Sequence, residues 1–181
     1  MSEELEVLKV VVQKLDSADI VYFISGSMAA NYYTTPRMTR DIDVVIQLSD
    51  LDSEEFVDLF SQEFYADQDS VKEEFQNRGM FNLIHKKYVV KIDFIIEKKT
   101  KFQASTFSRR QRVSISGVSM WIISPEDLMV MKLLWAKDSL SELQLGDVRS
   151  MLRSVDSLDH DYIKHWIDEL DLVYVYKKVI S

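Results

Sequence analysis

Asp41 and Asp43 flank Ile42 at the head of an apolar run, with a Gly26-Ser27 pair upstream. In an extended strand successive side chains alternate sides, so the two acids share one face while Ile42 and Val44 share the other. Neighbouring carboxylates repel, and burial away from water raises the pKa of at least one. A site that keeps both ionised commonly holds a divalent cation between them. The pair therefore reads as a cradle for a metal ion, and the Gly26-Ser27 turn as a seat for phosphate. Gly-Ser alone is a weak signal, and its weight comes from the combination. The alternative for the acids is a pair that ends a turn, since Asp is common at loop–strand junctions.

Holding and working two metal ions takes a third carboxylate. Asp93 is the candidate, a lone acid within Val90-Lys91-Ile92-Asp93-Phe94-Ile95, where a charge is costly unless paired or metal-bound. If this strand neighbours the first, the three acids converge at one edge of a sheet. The alternative for Asp93 is an ion pair with Lys91, two residues away on the same face.

The elements that must carry these residues follow from hydrophobic spacing. Leu5, Leu8, Val11, Val12 and Leu15 predict an opening amphipathic helix. Ile20 to Ser25 predicts a buried strand, Met28 to Tyr33 a short helix stopped by Thr34-Thr35-Pro36, and Ile42 to Leu48 a second strand. Phe56, Leu59, Phe60 and Phe64 predict another helix, and Ser70 with Glu73 a capping box. Phe81 to His85 and Tyr88 to Ile96 read as a hairpin about Lys86-Lys87; Val113 to Ile115 and Ser119 to Ile123 read as another about Gly117. Ser124-Pro125-Glu126-Asp127 is a strong helix start, and the pattern beyond it is mainly helical. The expected architecture is α+β: a mixed sheet flanked by helices over 1–123, then a helical C-terminal lobe over 124–181, packed as one unit.

Composition narrows the chemistry. The 181 residues include no cysteine, which excludes disulfides, thiolate nucleophiles and zinc–thiolate sites. Four glycines and two prolines argue against long linkers. The absence of a signal-like or membrane-spanning run points to a cytoplasmic setting. The net charge of −8 disfavours indiscriminate nucleic-acid binding, yet Lys86 to Arg112 holds nine basic residues against Asp93 and Glu97. Such a zone beside a carboxylate cluster suits an anionic substrate, and a solvated loop and helix face is the alternative. His85, His160 and His165 lack metal-ligand spacing. Trp121, Trp135 and Trp166, with Tyr162, Tyr174 and Tyr176, read as core or interface, and the C-terminal aromatics suit a homodimer contact.

Gly26-Ser27, thirteen residues, Asp41-Ile42-Asp43-Val44 and the later Asp93 together resemble the nucleotidyltransferase superfamily typified by DNA polymerase β. Thr39-Arg40-Asp41-Ile42-Asp43 is similar to its AbiEii-like bacterial branch, as is Asp127 to Lys137 (with Lys132) followed by Asp147-Val148-Arg149. The resemblance covers about residues 20 to 153. Two departures stand out: Lys137, Asp138 and Gln144 replace the Arg and Lys that many relatives carry there, and Ser27 replaces a second Gly.

The resemblance implies a nucleotidyltransferase-like fold and a metal-dependent transfer of a nucleoside monophosphate from an NTP such as ATP to an acceptor hydroxyl. Backbone N–H groups at Gly26 and Ser27 would bind the triphosphate. Asp41 and Asp43 would hold Mg²⁺ or Mn²⁺, with Asp93 binding a second ion and serving as general base. Arg40 and Lys132 would steady the polyphosphate; the alternatives are a salt bridge from Arg40 to the acids and snorkelling of Lys132 to solvent. Asp147 would orient Lys132, contact the sugar, or be a surface acid. The acceptor is tRNA, a protein or a small molecule, in a bacterial toxin–antitoxin setting with an antitoxin partner. The competing readings are an antibiotic-modifying enzyme of aminoglycoside or lincosamide type and a catalytically idle antitoxin-like relative.

Overall fold

The computed structural model describes residues 2–39, 41–48 and 51–180. In chain order they form α1 (Glu3–Ser17), β1 (Tyr22–Ile24), α2 (Gly26–Tyr33), β2 (Ile42–Ile46), α3 (Ser53–Phe60), β3 (Phe64–Ala66), α4 (Gln68–Asn77), β4 (Met80–His85) and β5 (Lys91–Ile96). There follow α5 (Lys101–Arg109), β6 (Gln111–Ile115), β7 (Val118–Ile122), α6 (Pro125–Ala136), α7 (Glu142–Ser154), α8 (His160–Glu169) and α9 (Val173–Ile180).

The strands make one seven-stranded mixed sheet in the order β3-β4-β5-β2-β1-β7-β6. β2 runs parallel to β5 and β1 parallel to β7, while the remaining pairs are antiparallel. Side-chain alternation divides the sheet between two apolar clusters. Ile42, Val44, Ile46, Ile92, Phe94 and Ile96 pack on α1 and α3, through Leu8, Leu15, Phe56 and Phe60. Phe23 and Val45 pack instead on Ala29 and Ala30 of α2 and on the C-terminal helices. Asp43 and Asp93, out of phase with the first set, therefore belong to the α2 and α6 side.

Helix α6 has ten of its twelve residues buried, the charged Glu126, Asp127 and Lys132 among them, as expected of a helix enclosed by neighbours. Its start follows the expected chemistry: Ser124 Oγ accepts from the Asp127 N–H at 3.2 Å, and Pro125 occupies the first turn.

Several expectations are corrected. Phe64 opens β3 rather than closing the preceding helix, because the chain turns after Ser61 and pairs with β4. The cap of α4 is Asp67, whose carboxylate accepts from the Ser70 N–H, so Ser70 lies within the helix. Helix α5, absent from the hydrophobic reading, is short and carries polar residues between Phe102 and Phe107. The acidic strands are interior neighbours, so Asp43 and Asp93 meet on a face of the sheet and not at its edge. Among the described residues no helix is long and apolar enough to cross a membrane.

Candidate active site

The parallel pairing of β2 and β5 sets Asp43 directly beside Asp93. Both line a cleft of about 420 Å³ together with Gly26, Ser27, Lys98 and Lys132. Asp93 is 7 % exposed. The turn that opens α2 is shaped around Asp43. Ser25 donates its N–H to the Asp43 carbonyl at 2.9 Å, and Gly26 adopts φ +60°. A Cβ at residue 26 would lie 1.8 Å from Asp43 Oδ2 and 2.9 Å from its Cβ. Only glycine lets the carboxylate rest against the helix start. Ser25 makes no side-chain cap, and the first N–H groups of a helix have no intrahelical partner, so this end of α2 is suited to accept phosphate oxygens.

Burial raises Asp43 from 3.8 to about 6, and the neighbouring Asp93 charge adds to it. Lys132 opposes the rise. This is the electrostatic state a divalent cation would relieve, and the oxygen donors suit a hard cation. Asp41 stands apart from the other two. Its side chain is 56 % exposed, and its link to them is Lys91 Nζ, 3.8 Å away. Among the described residues no three acidic or imidazole side chains are gathered into a ready metal site. The structure thus brings Asp43 and Asp93 together and leaves Asp41 at the rim. The Lys91–Asp93 ion pair raised as the alternative forms, at 2.8 Å, without turning Asp93 away from the cleft.

Lys132 does not snorkel. It is 1 % exposed and donates to Asp147 Oδ2 at 2.7 Å and to Gln144 Oε1 at 3.0 Å. Burial lowers its pKa, against the pull of Asp147. Asp147 is not a free surface acid: Arg37 reaches it with Nε at 3.2 Å and Nη2 at 3.1 Å. Burial alone would raise Asp147, but the bonds from Arg37 and Lys132 outweigh it and hold the carboxyl below its usual range. Arg37 Nη2 also donates to Ser27 Oγ at 2.6 Å. One connected network therefore ties the phosphate-seat turn to α6 and α7.

Arg37 was missed because the only sign of it is a basic residue between the Gly-Ser turn and the acids. Arg40, the arginine singled out there, lies outside the described residues. Trp135 lines the cleft at 40 % exposure beside Met80, where core or interface was expected; only Trp166 of the three tryptophans is buried. The basic segment is divided up. Lys86 donates to the Ser61 carbonyl, Arg109 pairs with Glu126 and Asp127, and Arg112 pairs with Asp16, so its lysines at the site are Lys91 and Lys98.

Residues 4–173 match the family described as "Nucleotidyl transferase of unknown function" (DUF2204). The chain belongs to that family. Among solved structures, the chain is similar to an antigenic nucleotidyltransferase-like protein from Paracoccidioides brasiliensis, with TM-score 0.61 and 20 % identity over 97 % of this chain and 93 % of that one. It is also similar to the antibiotic-resistance factor ANT(2'')-Ia, with TM-score 0.55 and 13 % identity over 95 % and 92 %. A third likeness is to the lincosamide antibiotic adenylyltransferase LnuA, lincomycin-bound, with TM-score 0.52 and 13 % identity over 83 % and 96 %. These likenesses establish the nucleotidyltransferase fold. No curated protein matches the chain in sequence.

Proposed function

We propose that the protein transfers a nucleoside monophosphate from an NTP to an acceptor hydroxyl in a reaction that needs a divalent metal. The observation that carries this reading is Asp43 beside Asp93, wrapped by the Gly26 turn at the mouth of α2. Asp43 and Asp93 are the residues that would hold the cation, with Asp41 at the rim. What Mg²⁺ or Mn²⁺ supplies when bound there is neutralisation of phosphate charge and polarisation of the α-phosphorus.

The chain's own groups do the rest. The N–H groups of Gly26 and Ser27 donate to triphosphate oxygens. Asp93, at hydrogen-bonding distance from a lysine it can exchange for another donor, takes the proton of the acceptor hydroxyl. The acceptor oxygen bonds to the α-phosphorus as the α–β bridging bond breaks, and pyrophosphate leaves with the electron pair. Lys132 is a fixed positive charge beside the cleft, held by Asp147 and Gln144. Arg37 braces both Asp147 and the Ser27 hydroxyl, which keeps its own proton free to donate.

The lining favours some acceptors over others. Beyond Asp43 and Asp93 it holds no further acid among the described residues, while Lys98, Trp135, Met80 and Ile95 are present. A polycationic aminoglycoside would meet no additional countercharge, so an uncharged or anionic acceptor fits better, with tRNA ahead of an antibiotic. The Lys132–Asp147 bond joins the two residues on which the AbiEii-like resemblance rests in this half of the chain, and a toxin role with an antitoxin partner follows from that resemblance alone.

The test is incubation with each α-labelled NTP, Mg²⁺ and pools of tRNA, protein and small molecules. Label should move onto one pool and stay in the nucleotide with Asp43→Asn or Asp93→Asn. Absence of transfer by the wild type to every pool would favour the idle, partner-binding relative.

A further inference from the structure

Asp43 and Asp93 are not the only charged pair that β2 and β5 bring together. Just before them along the same face, Lys91 and Asp41 approach to 3.8 Å. The result is a four-residue array with three negative charges and one positive. Lys91 Nζ donates to Asp93 Oδ2 at 2.8 Å, so it uses an oxygen that a metal ion would need. The two partners differ in freedom. The Lys91 side chain is 40 % exposed on a flexible stem, whereas the Asp93 side chain is 10 % exposed. The lysine can leave for solvent and the carboxylate cannot follow it.

We propose that Lys91 is the resident counterion of the carboxylate site, holding Asp93 and Asp41 in the cation-free protein and swinging out when a divalent cation enters. The inference rests on the metal-dependent reading above. An ammonium and a divalent ion compete for the same lone pairs and repel each other at this range. The lysine therefore sets the cation concentration at which the site fills, and it keeps a buried acid paired until then. A purely structural ion pair would stabilise the protein equally with and without cation. A counterion that must be displaced would stabilise only the empty form.

The experiment is Mn²⁺ binding followed by the electron paramagnetic resonance signal of the free ion, together with melting in EDTA and in saturating Mn²⁺. Four proteins are compared: wild type, Lys91→Met, Lys91→Arg and Asp43→Asn. Lys91→Met, which keeps the stem and removes the charge, should lower the Mn²⁺ Kd about tenfold. Lys91→Arg should stay within about twofold of wild type, because the charge is retained. Lys91→Met should melt below wild type in EDTA and recover in Mn²⁺. Equal or weaker Mn²⁺ binding by Lys91→Met, with wild-type binding abolished by Asp43→Asn, overturns the counterion role and leaves the metal site standing. Wild-type Mn²⁺ binding that Asp43→Asn leaves unchanged overturns the metal reading and this inference with it.

Discussion

Removing the Asp147 carboxylate would strand the Lys132 ammonium in the interior, and the cost follows from burial. Lys132 is 1 % exposed and its 2.7 Å bond to Asp147 is its one ion pair among the described residues, with Gln144 as a neutral partner at 3.0 Å. Breaking a buried pair from one side costs about 3–5 kcal/mol. Gln144 stays, and Arg37, at 35 % side-chain exposure, can turn to water. Asp147→Ala should therefore fall near the lower end, about 3 kcal/mol, or about 10 °C in Tm for a chain of this size. Part of that loss should fade as pH rises, since the stranded, buried lysine folds more easily once neutral. The double variant Lys132→Met/Asp147→Leu removes both charges and should cost much less than the two single changes together. Urea denaturation of the wild type, both singles and the double gives the coupling directly. Single losses below about 1 kcal/mol that simply add would refute the claim that this pair is a buried, mutually dependent unit.

Two further outcomes follow from the site's geometry. Gly26→Ala would put a Cβ 1.8 Å from Asp43 Oδ2 at φ +60°, so it should cost at least about 1–2 kcal/mol from backbone strain alone and abolish Mn²⁺ binding by displacing the carboxylate. Urea titration and Mn²⁺ resonance on one sample would test both effects. In EDTA, the elevation of Asp43 from 3.8 to about 6 means the folded state keeps a proton that the unfolded chain sheds. Its contribution is therefore full below about pH 4 and lost as pH rises through about 6, at most about 3 kcal/mol. The difference in urea stability between wild type and Asp43→Asn across this window isolates it from other carboxylates such as Asp147, whose lowered pKa works in the opposite direction. A flat difference would show that Asp43 is not strained by burial and by Asp93.

Local pattern carried far in this chain, and long-range pairing marks where it stopped. Alternation along β2 sets Asp43 opposite Ile42 and Val44, and the apolar surroundings of Asp93 single it out, whereas Asp41 precedes the strand, where alternation no longer governs it. Ser124 and Pro125 announce α6 through capping chemistry that needs no tertiary contact. The order of strands is set by pairings between distant segments, so spacing could not show that β2 and β5 are interior. The same holds for Arg37, whose partner Asp147 is 110 residues away. Snorkelling to solvent stands as the alternative for Lys132 on sequence alone, and only α7 packing on α6 reveals what holds it. Helix spacing ran on to Phe64 because the turn after Ser61 has no Gly or Pro to signal it. Trp135, read as core or interface, lies exposed in the lining of the cleft and so is not a core residue.

The most direct test of the central claim is anomalous diffraction from crystals of the protein grown with Mn²⁺ and a non-hydrolysable NTP. The account predicts a manganese peak within coordination distance of carboxylate oxygens from both Asp43 and Asp93, with the triphosphate at the N-terminus of α2. Nucleotide bound in the cleft with no manganese on either carboxylate would contradict it.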